Sequence, residues 1–561
     1  MKPPRLVRQC SSGARLFRCE RLESRSLLTT LLVSGTPGDD LIVLGLTAPG
    51  GISVTLNGKL TEYLPAQWTD ITIDTGTGVD AVTVAATNVP VKVVGHSAVN
   101  GPDDAMRVGS DTGGVRDVKA AVAISNATGA WNLTLDDAHD PSSQSGTLGS
   151  GSLSSFNSSG IAWDATQTRS VRLDLSSQGG NTLDVTGTKV PTTIFGHGAS
   201  AAPADHLLLS KNGITAALVG PITIANSGGG QEQIDVDDSA DTIPHVVNFN
   251  APPQSFGTIG GLTPAMVSFS TAAAAGVTLR TPSSGGNAVN IQLAMVPLTV
   301  VAHSPQTGSD AILHFDGGPA GTGTVAVRGS SSSDGFTIGN GTIVRGSGAA
   351  TDTIHFPPVR GLTFSLGQFL VPADLGAVTL TADGAGTQVT LGAAQHLLSL
   401  AAMNSATVAM ISGSGVLDVQ SLTVAAGATL DLTNNRLVLH YASDPINDIR
   451  AALASGYANG AWNGPGIDTG SADASHGLCF ADDGAGTLVV AFVRYGDANL
   501  DNTVDFNDLL PLAQHFNQPA ARWDQGDFNY DGVVDFNDLL SLAQNFAAPA
   551  GALVPQMSAL R

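Results

Sequence analysis

Two twelve-residue segments near the C-terminus place oxygen-bearing side chains at matching positions. The first segment, 497–508, has Asp, Asn, Asp, Thr, Asp and Asp at places one, three, five, seven, nine and twelve. The second, 527–538, begins thirty residues later and differs at these places only by Val at the seventh. Ca²⁺ takes roughly six to eight oxygen ligands, and a loop with this spacing supplies them. The sequence therefore predicts two bound calcium ions.

We call these two segments the first loop and the second loop. Each place in a loop has its own expected role. The seventh residue contributes its backbone carbonyl, and the ninth often acts through a water molecule. The sixth place needs a left-handed backbone, which Gly532 adopts freely and Asn502 tolerates. The predicted metal ligands are Asp497, Asn499, Asp501, Thr503, Asp505 and Asp508 in the first loop, and Asp527, Asn529, Asp531, Val533, Asp535 and Asp538 in the second.

The C-terminal module, residues 494–548, resembles a type I dockerin. The resemblance covers 496–547: a glycine precedes each loop, the twelfth place is Asp rather than Glu, and the shared run Val-Asp-Phe-Asn-Asp-Leu-Leu leads into a helix after each loop. It implies a small all-α, EF-hand-like module in which calcium binding is coupled to folding. It also implies a cohesin-like docking partner.

In dockerins the residues just before the last ligand help to select the cohesin. Those positions are Phe506, Asn507, Phe536 and Asn537, and they are identical in the two loops. The resemblance therefore implies a two-fold symmetric face that docks in either orientation, with phenylalanine as the apolar anchor. The alternative is that both phenylalanines pack inside the module's own core.

The body, residues 31–430, contains a long internal repeat. Copies begin at Ile71, Val171, Val277 and Val378, so the starts are 100, 106 and 101 residues apart (171 − 71, 277 − 171, 378 − 277). Each copy alternates apolar residues with Thr or Asp and is interrupted by Gly, Asn and Pro, which predicts short strands. We expect a mostly β chain whose body is a parallel β-helix or solenoid with super-repeats of about 100 residues. One sandwich domain per repeat is the alternative.

Two stretches of the body resemble single RTX nonapeptides, namely 35–42 and 76–82. Their Asp residues could bind calcium, but such sites need consecutive copies that share one ion, and these copies are isolated. The alternative is that the Asp side chains cap ordinary turns.

Residues 431–493 form a junction of different composition. Its one helical pattern covers 444–456, with Asp444 as the cap and Gly456 at the end. This region could cover the apolar end of the last solenoid turn. The alternative is a carbohydrate platform built on Trp462.

The two ends of the chain are predicted to lie outside the fold. Residues 1–30 form a basic targeting leader, and the segment 22–28 resembles the LExRxLL motif of exported bacterial proteins, which implies an extracellular or cell-surface location. Residues 549–561 form a flexible tail. No apolar run reaches the length that a transmembrane helix needs.

The charge and the cysteine content exclude several classes of function. The formal net charge is −22, and because the leader carries +5, the rest of the chain carries −27, which argues against a nucleic-acid partner. Cys479 is the single cysteine after the leader, so a disulfide scaffold is excluded for the body.

These patterns favour an exported, non-catalytic surface or scaffold protein attached through its C-terminal module to a cohesin-like protein or a cell-surface component. The first alternative is a carbohydrate-active β-helix enzyme, a polysaccharide hydrolase or lyase. The second is a calcium-dependent adhesin that binds glycans. A catalytic site should occur once, whereas the Asp-Asp pairs of the body follow the repeat.

Overall fold

The computed structural model describes residues 29–48, 50–64, 68–156, 158–284, 286–303, 310–316, 323–345, 352–519 and 522–547. It contains 48% strand and 9% helix, which confirms the expectation of a mostly β chain. The LExRxLL segment and the predicted tail lie outside the described residues. The first strand begins at Thr29, so the last two residues of the predicted leader belong to the sheet.

Most strands are short, and they follow one another along the whole body. The strands up to residue 136 are β1 (Thr29–Ser34), β2 (Leu41–Thr47), β3 (Gly51–Leu56), β4 (Lys59–Tyr63), β5 (Trp68–Asp74), β6 (Ala81–Val84), β7 (Val91–Gly95), β8 (Asp104–Val108), β9 (Val122–Asn126) and β10 (Trp131–Asp136). The next are β11 (Ser145–Gly149), β12 (Ser152–Ser155), β13 (Ile161–Trp163), β14 (Thr168–Asp174), β15 (Thr182–Val185), β16 (Thr192–Gly196), β17 (Asp205–Leu209), β18 (Ile222–Asn226) and β19 (Glu232–Asp237).

The second half of the body continues in the same manner. Its first strands are β20 (Val246–Ala251), β21 (Phe256–Gly260), β22 (Val267–Ser270), β23 (Ala274–Arg280), β24 (Ala288–Ala294), β25 (Leu298–His303), β26 (Asp310–Asp316), β27 (Thr324–Arg328), β28 (Gly335–Gly339), β29 (Thr342–Arg345) and β30 (Asp352–His355). They are followed by β31 (Gly361–Val371), β32 (Thr379–Leu391), β33 (Gln395–Leu397), β34 (Ser399–Met403), β35 (Thr407–Met410), β36 (Val416–Val419), β37 (Leu422–Val424), β38 (Thr429–Asp431) and β39 (Arg436–His440).

The junction and the C-terminal module contain the remaining elements. These are α1 (Ile446–Tyr457), β40 (Gly466–Asp468), β41 (His476–Asp482), β42 (Thr487–Arg494), α2 (Phe506–His515) and α3 (Phe536–Asn545). Four short 3-10 helices lie at Val115–Asp117, Ala165–Gln167, Ala458–Gly460 and Trp523–Gln525.

A three-stranded antiparallel meander precedes the start of each sequence repeat. The meanders are β2–β3–β4, β11–β12–β13, β20–β21–β22 and β28–β29–β30. In the last three copies, the third strand pairs in parallel with a strand of the preceding repeat. The first strand of every copy begins a parallel ladder with a later strand. The meander therefore joins one repeat to the next within one continuous sheet.

The strand after each of the first three meanders carries the start of the sequence repeat and a register shift. β5, β14 and β23 each pair in parallel with an earlier strand, and in each case one extra residue interrupts the pairing, at Thr69, Arg169 and Ala275. Such a bulge bends its strand. The recurrence of the bulge indicates that the repeat is structural as well as compositional.

From β31 onward the pairing becomes regular. β32, β34 and β37 form one parallel ladder, β32, β35, β38 and β40 form a second, and β33, β36 and β39 form a third. Matching strands such as β36 and β39 pair residues 20 positions apart (436 − 416). Three strands per turn with this spacing bring apolar residues of successive turns into register.

The core follows the strand alternation. In β10, Trp131, Leu133 and Leu135 are buried, whereas Asn132 is exposed and Thr134 is half-buried. Side chains on one face of a strand point the same way, so every second residue enters the interior. The buried residues of all the strands form one contiguous hydrophobic cluster that extends into the C-terminal module.

Buried Asp and Asn side chains hold the turns that precede the strands. Asp80, Asn181 and Asn287 occupy one repeat position, and all three are buried. The side-chain oxygen of each accepts a hydrogen bond from a backbone N–H earlier in the chain, and its own backbone N–H donates to a carboxylate later in the chain. The N–H donor and the carboxylate acceptor are Asp40 and Asp104 for Asp80, Gln144 and Asp205 for Asn181, and His245 and Asp352 for Asn287. Buried backbone groups need such partners, so the side chains stabilise the stacked turns.

The junction differs in two ways from the sequence expectation. The helix α1 begins at Ile446 and ends at Tyr457, so it includes Gly456 rather than stopping there. The Asp444 carboxylate accepts the Ile446 N–H at 2.9 Å, which fulfils the expected capping role. After the helix, β40 adds to the ladder of β38, and β42 pairs antiparallel with β39. The junction thus covers the last turn of the body with α1 and an antiparallel hairpin.

Candidate metal centre

The first loop is organised around the buried carboxylate of Asp497. Its two oxygens accept hydrogen bonds from the backbone N–H groups of Asp501 and Asn502, at 3.1 and 3.0 Å. Asn502 has φ of 67°, the left-handed conformation expected for the sixth place of the loop. The chain therefore folds back over Asp497, which places the first and fifth ligands on one side of the turn.

Asp508, the last predicted ligand of the first loop, ties the two ends of the loop together. Its Oδ1 accepts the N–H groups of Ala498 and Asn499 at 2.8 and 3.1 Å, and its Oδ2 accepts the N–H of Asp505 at 2.9 Å. Asp505 caps α2 by accepting the Asn507 N–H at 2.7 Å. The helix therefore starts inside the loop, three residues before the start expected from the sequence, because the ligand residues are also its capping residues.

The second loop reproduces this arrangement. Asp538 accepts the N–H groups of Phe528 and Asp535 at 2.8 and 2.9 Å, and Asp527 Oδ2 accepts the Gly532 N–H at 3.1 Å. The other oxygen of Asp527, Oδ1, is buried and has no hydrogen-bond partner. A buried carboxylate oxygen without a partner is costly, and a bound cation would satisfy it.

The ligands of the third and fifth places lie side by side at the surface. The Asn499 amide donates to Asp501 Oδ2 at 3.1 Å, and the Asn529 amide donates to Asp531 Oδ2 at 2.9 Å. The seventh residue of each loop, Thr503 or Val533, donates its N–H to the carboxylate of the fifth, Asp501 or Asp531. This hydrogen bond uses the N–H of the seventh residue and not the carbonyl, which is the group predicted to bind the ion. Asp535, at the ninth place, caps α3 through the Asn537 N–H at 2.7 Å.

Burial raises the pKa of the innermost carboxyl groups. Burial, followed by the nearby charge of Asp508, raises the pKa of Asp497 to about 7. Burial and the charge of Asp538 raise the pKa of Asp527 to about 7, and burial raises the pKa of Asp538 to about 6. The nearest cation, Arg450, stands 3.9 Å from Asp527 Oδ2. Each loop thus concentrates negative charge that a divalent cation would neutralise.

The donor set of each loop consists of carboxylate, amide and carbonyl oxygens, which fits Ca²⁺ and not a metal that prefers nitrogen or sulfur. In neither loop do oxygens from three different carboxylates lie within 4.8 Å of one another. Among the described residues, the three side chains whose ligand atoms lie this close together are Asp238, Asp241 and His245. The hydrogen bonds to backbone N–H groups hold the loop oxygens apart. Binding would therefore require small rotations of side chains whose backbone is already in place.

The two halves of the module pack on each other symmetrically. Gly496 and Gly526 precede the loops with φ of 95° and 106°, and a Cβ on either would lie within 2.8 Å of the Cα of Leu542 or Leu512 in the opposite half. The backbone is left-handed at both glycines, and neither leaves room for a side chain. The close approach explains why both loops begin directly after glycine.

Reciprocal backbone hydrogen bonds complete this symmetry. The Asn517 N–H donates to the Val534 carbonyl at 2.7 Å, and the Ala547 N–H donates to the Val504 carbonyl at 2.9 Å. Each bond runs from the segment after one helix to the eighth place of the other loop. The two loops are therefore coupled through the backbone.

An aromatic cluster attaches the module to the junction. Trp523 stacks near Tyr495 and Tyr530, with ring centroids 6.0 and 5.8 Å apart, and its Nε1 donates to the Asp497 carbonyl at 2.8 Å. The Tyr530 hydroxyl donates to the Leu478 carbonyl in β41 at 2.8 Å. Both loops therefore contact the hydrophobic core of the chain, a connection that sequence spacing did not predict.

The carbohydrate platform considered for Trp462 is wrong. Trp462 is 2% exposed, its Nε1 donates to the Tyr495 hydroxyl at 2.5 Å, and its ring lies 6.0 Å from that of Tyr530. A platform for a sugar needs an exposed aromatic face. Trp462 instead belongs to the core between the junction and the module.

The predicted partner-binding residues lie at the surface. The side chains of Phe506 and Phe536 are 70% and 67% exposed, so the alternative that they pack in the module's own core is wrong. Asn507 and Asn537 are also exposed, and their side-chain amides lie 3.4 Å from the capping Asp505 and Asp535. Each Phe-Asn pair is thus held by a helix cap with its ring directed to solvent.

The Asp residues of the RTX-like stretches cap turns. Asp39 Oδ1 accepts the Val79 N–H at 2.8 Å, Asp40 Oδ2 accepts the Thr36 N–H at 2.5 Å, and Asp80 Oδ1 accepts the Asp40 N–H at 2.9 Å. These oxygens are used by the backbone, which supports the turn-capping alternative over a calcium site in this part of the body.

Among the described residues, no helix has both the length and the apolar character that crossing a bilayer requires. Comparison of the chain with known protein families, with curated proteins and with solved structures found no match.

Without calcium, acidification is expected to stabilise the C-terminal module. The pKa of Asp497 and of Asp527 is raised to about 7 in the folded chain, above the ordinary value of 3.8, so the folded state binds more protons. Stability is then highest below the unfolded pKa and falls as the pH rises toward 7. We expect about 3 kcal/mol lost per aspartate between pH 4.5 and 7.5, because most of this range lies between the two pKa values. Hydrogen exchange of peptides from 494–547 in metal-free buffer measures this.

Saturating calcium is the control for this pH experiment. Because the ion binds the deprotonated carboxylates, calcium should reverse the trend and make the module more protected at pH 7.5 than at pH 4.5. Protection that rises with pH in the metal-free chain would contradict the assignment of the raised pKa values.

Replacing Pro511 by serine is expected to stabilise α2. Pro511 lies inside this helix, where it cannot donate a backbone hydrogen bond, whereas the matching residue of α3 is Ser541. Ser541 fits its helix, and its Oγ donates to the Asn537 carbonyl at 3.0 Å. We expect Pro511→Ser to raise the free energy of unfolding of the module by about 1 to 3 kcal/mol. The reverse change, Ser541→Pro, should lower it by a similar amount in urea titrations.

Proposed function

We propose that the protein is an exported, non-catalytic surface or scaffold protein. Its body is an elongated parallel β-helix, and its C-terminal module is a dockerin-like unit that binds two calcium ions and docks a cohesin-like partner. The single observation that carries the docking proposal is the pair of exposed Phe-Asn sites, Phe506-Asn507 and Phe536-Asn537, on two symmetric loops.

The parallel ladders support a β-helical body. Strands of successive turns pair in parallel and bury every second side chain, and from 361 to 440 three ladders run side by side. Asp and Asn side chains cross-link successive turns at one corner. A stack of this kind grows along one axis, so its length scales with the number of repeats. Such a body suits display or spacing better than enclosure of a substrate.

The loops support calcium binding by their chemistry. Each presents oxygen donors at the places that the ion needs, keeps two aspartates buried, and has its turn preformed by backbone hydrogen bonds. The orphaned oxygen of Asp527 and the raised pKa values of Asp497 and Asp527 show the electrostatic cost of the metal-free loops. A divalent ion relieves that cost in both loops.

The docking face is larger than one ring on each side. Leu510 lies one turn after Phe506 on α2 and is 53% exposed, and Leu540 lies in the matching place on α3. Residues four apart lie on the same face of a helix, so each helix presents a Phe-Leu pair to solvent. Exposed apolar pairs beside polar residues are typical of interaction sites. Because the two pairs are equivalent, a partner could engage either one.

The Asp-Asp pairs of the body have structural partners, which weakens the enzyme alternative. Asp103 forms an ion pair with Arg169 at 3.0 Å, and Asp104 Oδ1 accepts the Asp80 N–H at 3.0 Å. Asp136 pairs with Arg107 at 2.7 Å. These contacts stabilise neighbouring turns, which gives the carboxylates a structural role.

Two cavities of the described chain have no pair of carboxylates in their walls. The cavity between β37 and α1 has a volume of about 440 Å³ and Asp448 as its acidic residue. The cavity along β5, β7 and β13 has a volume of about 530 Å³ and Asp70. General acid and base groups come in pairs in most glycosidases. A search for sugar release from plant and microbial polysaccharides tests the enzyme alternative directly, and a glycan array tests the adhesin alternative.

A biosensor experiment tests the docking proposal. Immobilised type I cohesin domains are exposed to the full chain with calcium or with EGTA, and we expect binding only with calcium. The double variants Phe506→Ala/Asn507→Ala and Phe536→Ala/Asn537→Ala should each retain binding, because one face remains. The variant that combines all four changes should lose at least about 100-fold in affinity, as expected when buried aromatic anchors are removed.

Two controls make this test decisive. Phe256→Ala changes a phenylalanine of the body that is 51% exposed, and it should leave binding unchanged. Calcium titration of the fourfold variant should give the wild-type stoichiometry, which separates loss of the docking face from loss of the fold. Binding by the fourfold variant at wild-type affinity, or no calcium-dependent binding to any cohesin, would contradict the proposal.

A further inference from the structure

A second group of metal-ligating side chains lies in the body, at the turn between β19 and β20. Asp238, Asp241 and His245 each direct one donor atom to a common point, and these atoms all lie within 4.8 Å of one another. His245 Nε2 is 3.4 Å from Asp241 Oδ2 and 3.8 Å from Asp238 Oδ2. The spacing of these three residues matches no common metal motif, so the sequence alone did not predict this group.

Asp238 supplies independent evidence for a ligand at this point. The side chain of Asp238 is fully buried, and its Oδ1 accepts the N–H and the hydroxyl of Thr215 at 2.8 and 3.0 Å. Its Oδ2 has no hydrogen-bond partner and faces His245 Nε2. One oxygen thus fixes the carboxylate, and the other is an unsatisfied buried acceptor aimed into the cluster.

The remaining two side chains are also oriented from outside the cluster. His245 Nδ1 lies 2.6 Å from the Gly261 carbonyl, so Nδ1 carries the proton, and in the neutral ring Nε2 presents its lone pair to the two carboxylates. Asp241 Oδ1 accepts the N–H groups of Thr242 and Ile243 at 2.6 and 3.0 Å, which leaves Oδ2 free. A histidine that donates to a backbone carbonyl through its other nitrogen is the usual outer-shell arrangement of a metal ligand.

The first sequence repeat contains the same turn without the ligand set. Val115 N–H donates to Asp137 Oδ1 at 3.0 Å, as Thr215 N–H donates to Asp238. Gln144 occupies the place of His245, and its amide donates to Asp140 Oδ2 at 2.9 Å. Among the described residues, only the second repeat brings three His, Cys, Asp or Glu side chains together.

The charge of the two turns also differs, and the difference favours a bound cation in the second repeat. In the first repeat, Arg116 approaches Asp140 at 3.5 Å. In the second repeat, Ala216 replaces the arginine. The turn has therefore lost its fixed cation while gaining a side chain that binds metals.

We propose that Asp238, Asp241 and His245 bind one divalent transition-metal ion such as Zn²⁺, with water as the fourth ligand. A tetrahedral ion with ligands about 2.1 Å away separates those ligands by about 3.4 Å, which matches the distance of 3.4 Å between His245 Nε2 and Asp241 Oδ2. An imidazole nitrogen with two carboxylates suits Zn²⁺, Co²⁺ or Mn²⁺ better than Ca²⁺, which prefers oxygen alone. The ion fastens the turn after β19 to the turn that follows the meander strand β21, through the contact of His245 with Gly261.

The site is reachable from solvent. The side chains of Asp241 and His245 are 19% and 25% exposed, whereas that of Asp238 is not exposed at all. An ion can therefore enter from the surface and contact the buried oxygen last. This geometry leaves one open position toward water.

Titration of the full chain with Co²⁺, in saturating calcium so that the C-terminal loops are occupied, tests the proposal. We expect one Co²⁺ per chain with visible d–d absorption and displacement by Zn²⁺. His245→Gln installs the amide of the first repeat and should weaken binding by at least about 100-fold. His206→Gln is the matched control, because His206 pairs only with Asp235 at 2.9 Å; it should leave the titration unchanged.

A second variant covers the case in which His245→Gln disturbs folding. Asp241→Asn keeps the acceptor Oδ1 for the turn and replaces the free oxygen, so it should fold and lose the Co²⁺ absorption. Wild-type chain that shows no stoichiometric absorption overturns the proposal. So does absorption that both variants retain.

Discussion

Asp527→Ala is expected to leave one calcium ion bound where the wild-type chain binds two, and to change stability in opposite directions with and without the ion. Asp527 is buried, carries an oxygen without a partner, and has a pKa raised to about 7. Removing it from the metal-free chain removes the cost of a buried carboxylate. Removing it from the calcium-bound chain deletes the first ligand of the second loop. Affinity at that loop should fall by about 100-fold, which corresponds to about 3 kcal/mol.

Isothermal titration calorimetry of the full chain gives the calcium stoichiometry. Thermal denaturation with calcium or with EGTA shows whether the variant is less stable than wild type in calcium and more stable in EGTA. The matched variant is Asp497→Ala, which should remove the ion of the first loop in the same way. Glu62→Ala, which removes an exposed acid of the body, is the control for a change in net charge. Two ions in the Asp527→Ala chain, or lower stability in EGTA, would show that the carboxylate has a purely structural role.

The spacing of the loops could be predicted because every interaction within them is local. Asp497, Asp501 and Asn502 lie within six residues, and a turn that folds back on its first residue needs only the backbone N–H groups that follow it. The left-handed Asn502 followed from the same reasoning. The capping role of Asp505 was missed, although an Asp three residues before Asp508 is a helix-start signal.

The body illustrates what local patterns omit. Alternation in β5, β14 and β23 predicts strands, and the repeat predicts that they are equivalent. Which strands pair is decided by residues far apart, as when β13 joins β9 or β22 joins β18 across a meander. Parallel pairing has no turn signal of its own, because its partners are separated by a long connection. The parallel pairings could therefore not be predicted from local sequence, whereas the antiparallel meanders were missed although the turns within them are short.

The metal group of the body was missed for a related reason. Asp238 and Asp241 appear in the sequence as one more copy of the repeated acidic turn, and only the matched Gln144 shows that His245 is the exception. The contact with Gly261 then depends on the meander. Comparing repeats position by position, and asking where a copy changes its chemistry, is the signal that could have found it.

Trp523→Ala is expected to have the largest effect on the C-terminal module. Trp523 is fully buried between Tyr495, Phe528 and Tyr530, with ring centroids 6.0, 5.1 and 5.8 Å away. Removing a buried aromatic ring leaves a cavity and costs about 3 to 5 kcal/mol. A module of this size has a small core and little stability to lose, so we expect it to unfold without calcium. Hydrogen exchange should then report loss of protection in 497–547 and unchanged protection in the body.

The effect should also reach the first ion, because Trp523 Nε1 donates to the carbonyl of Asp497 at 2.8 Å. Trp523→Phe keeps most of the ring volume but removes this donor, and it separates the two roles: it should retain the fold and weaken calcium binding at the first loop by a smaller factor. Trp163→Ala is the control, since it removes a buried tryptophan of β13 in the body and should leave the calcium titration intact. If Trp523→Ala kept both ions at wild-type affinity, the loops would be independent of the aromatic core. The hydrogen bond from Trp523 to the backbone of Asp497 argues that they are not, because the same ring that fastens the module to the junction also holds the first predicted ligand in place.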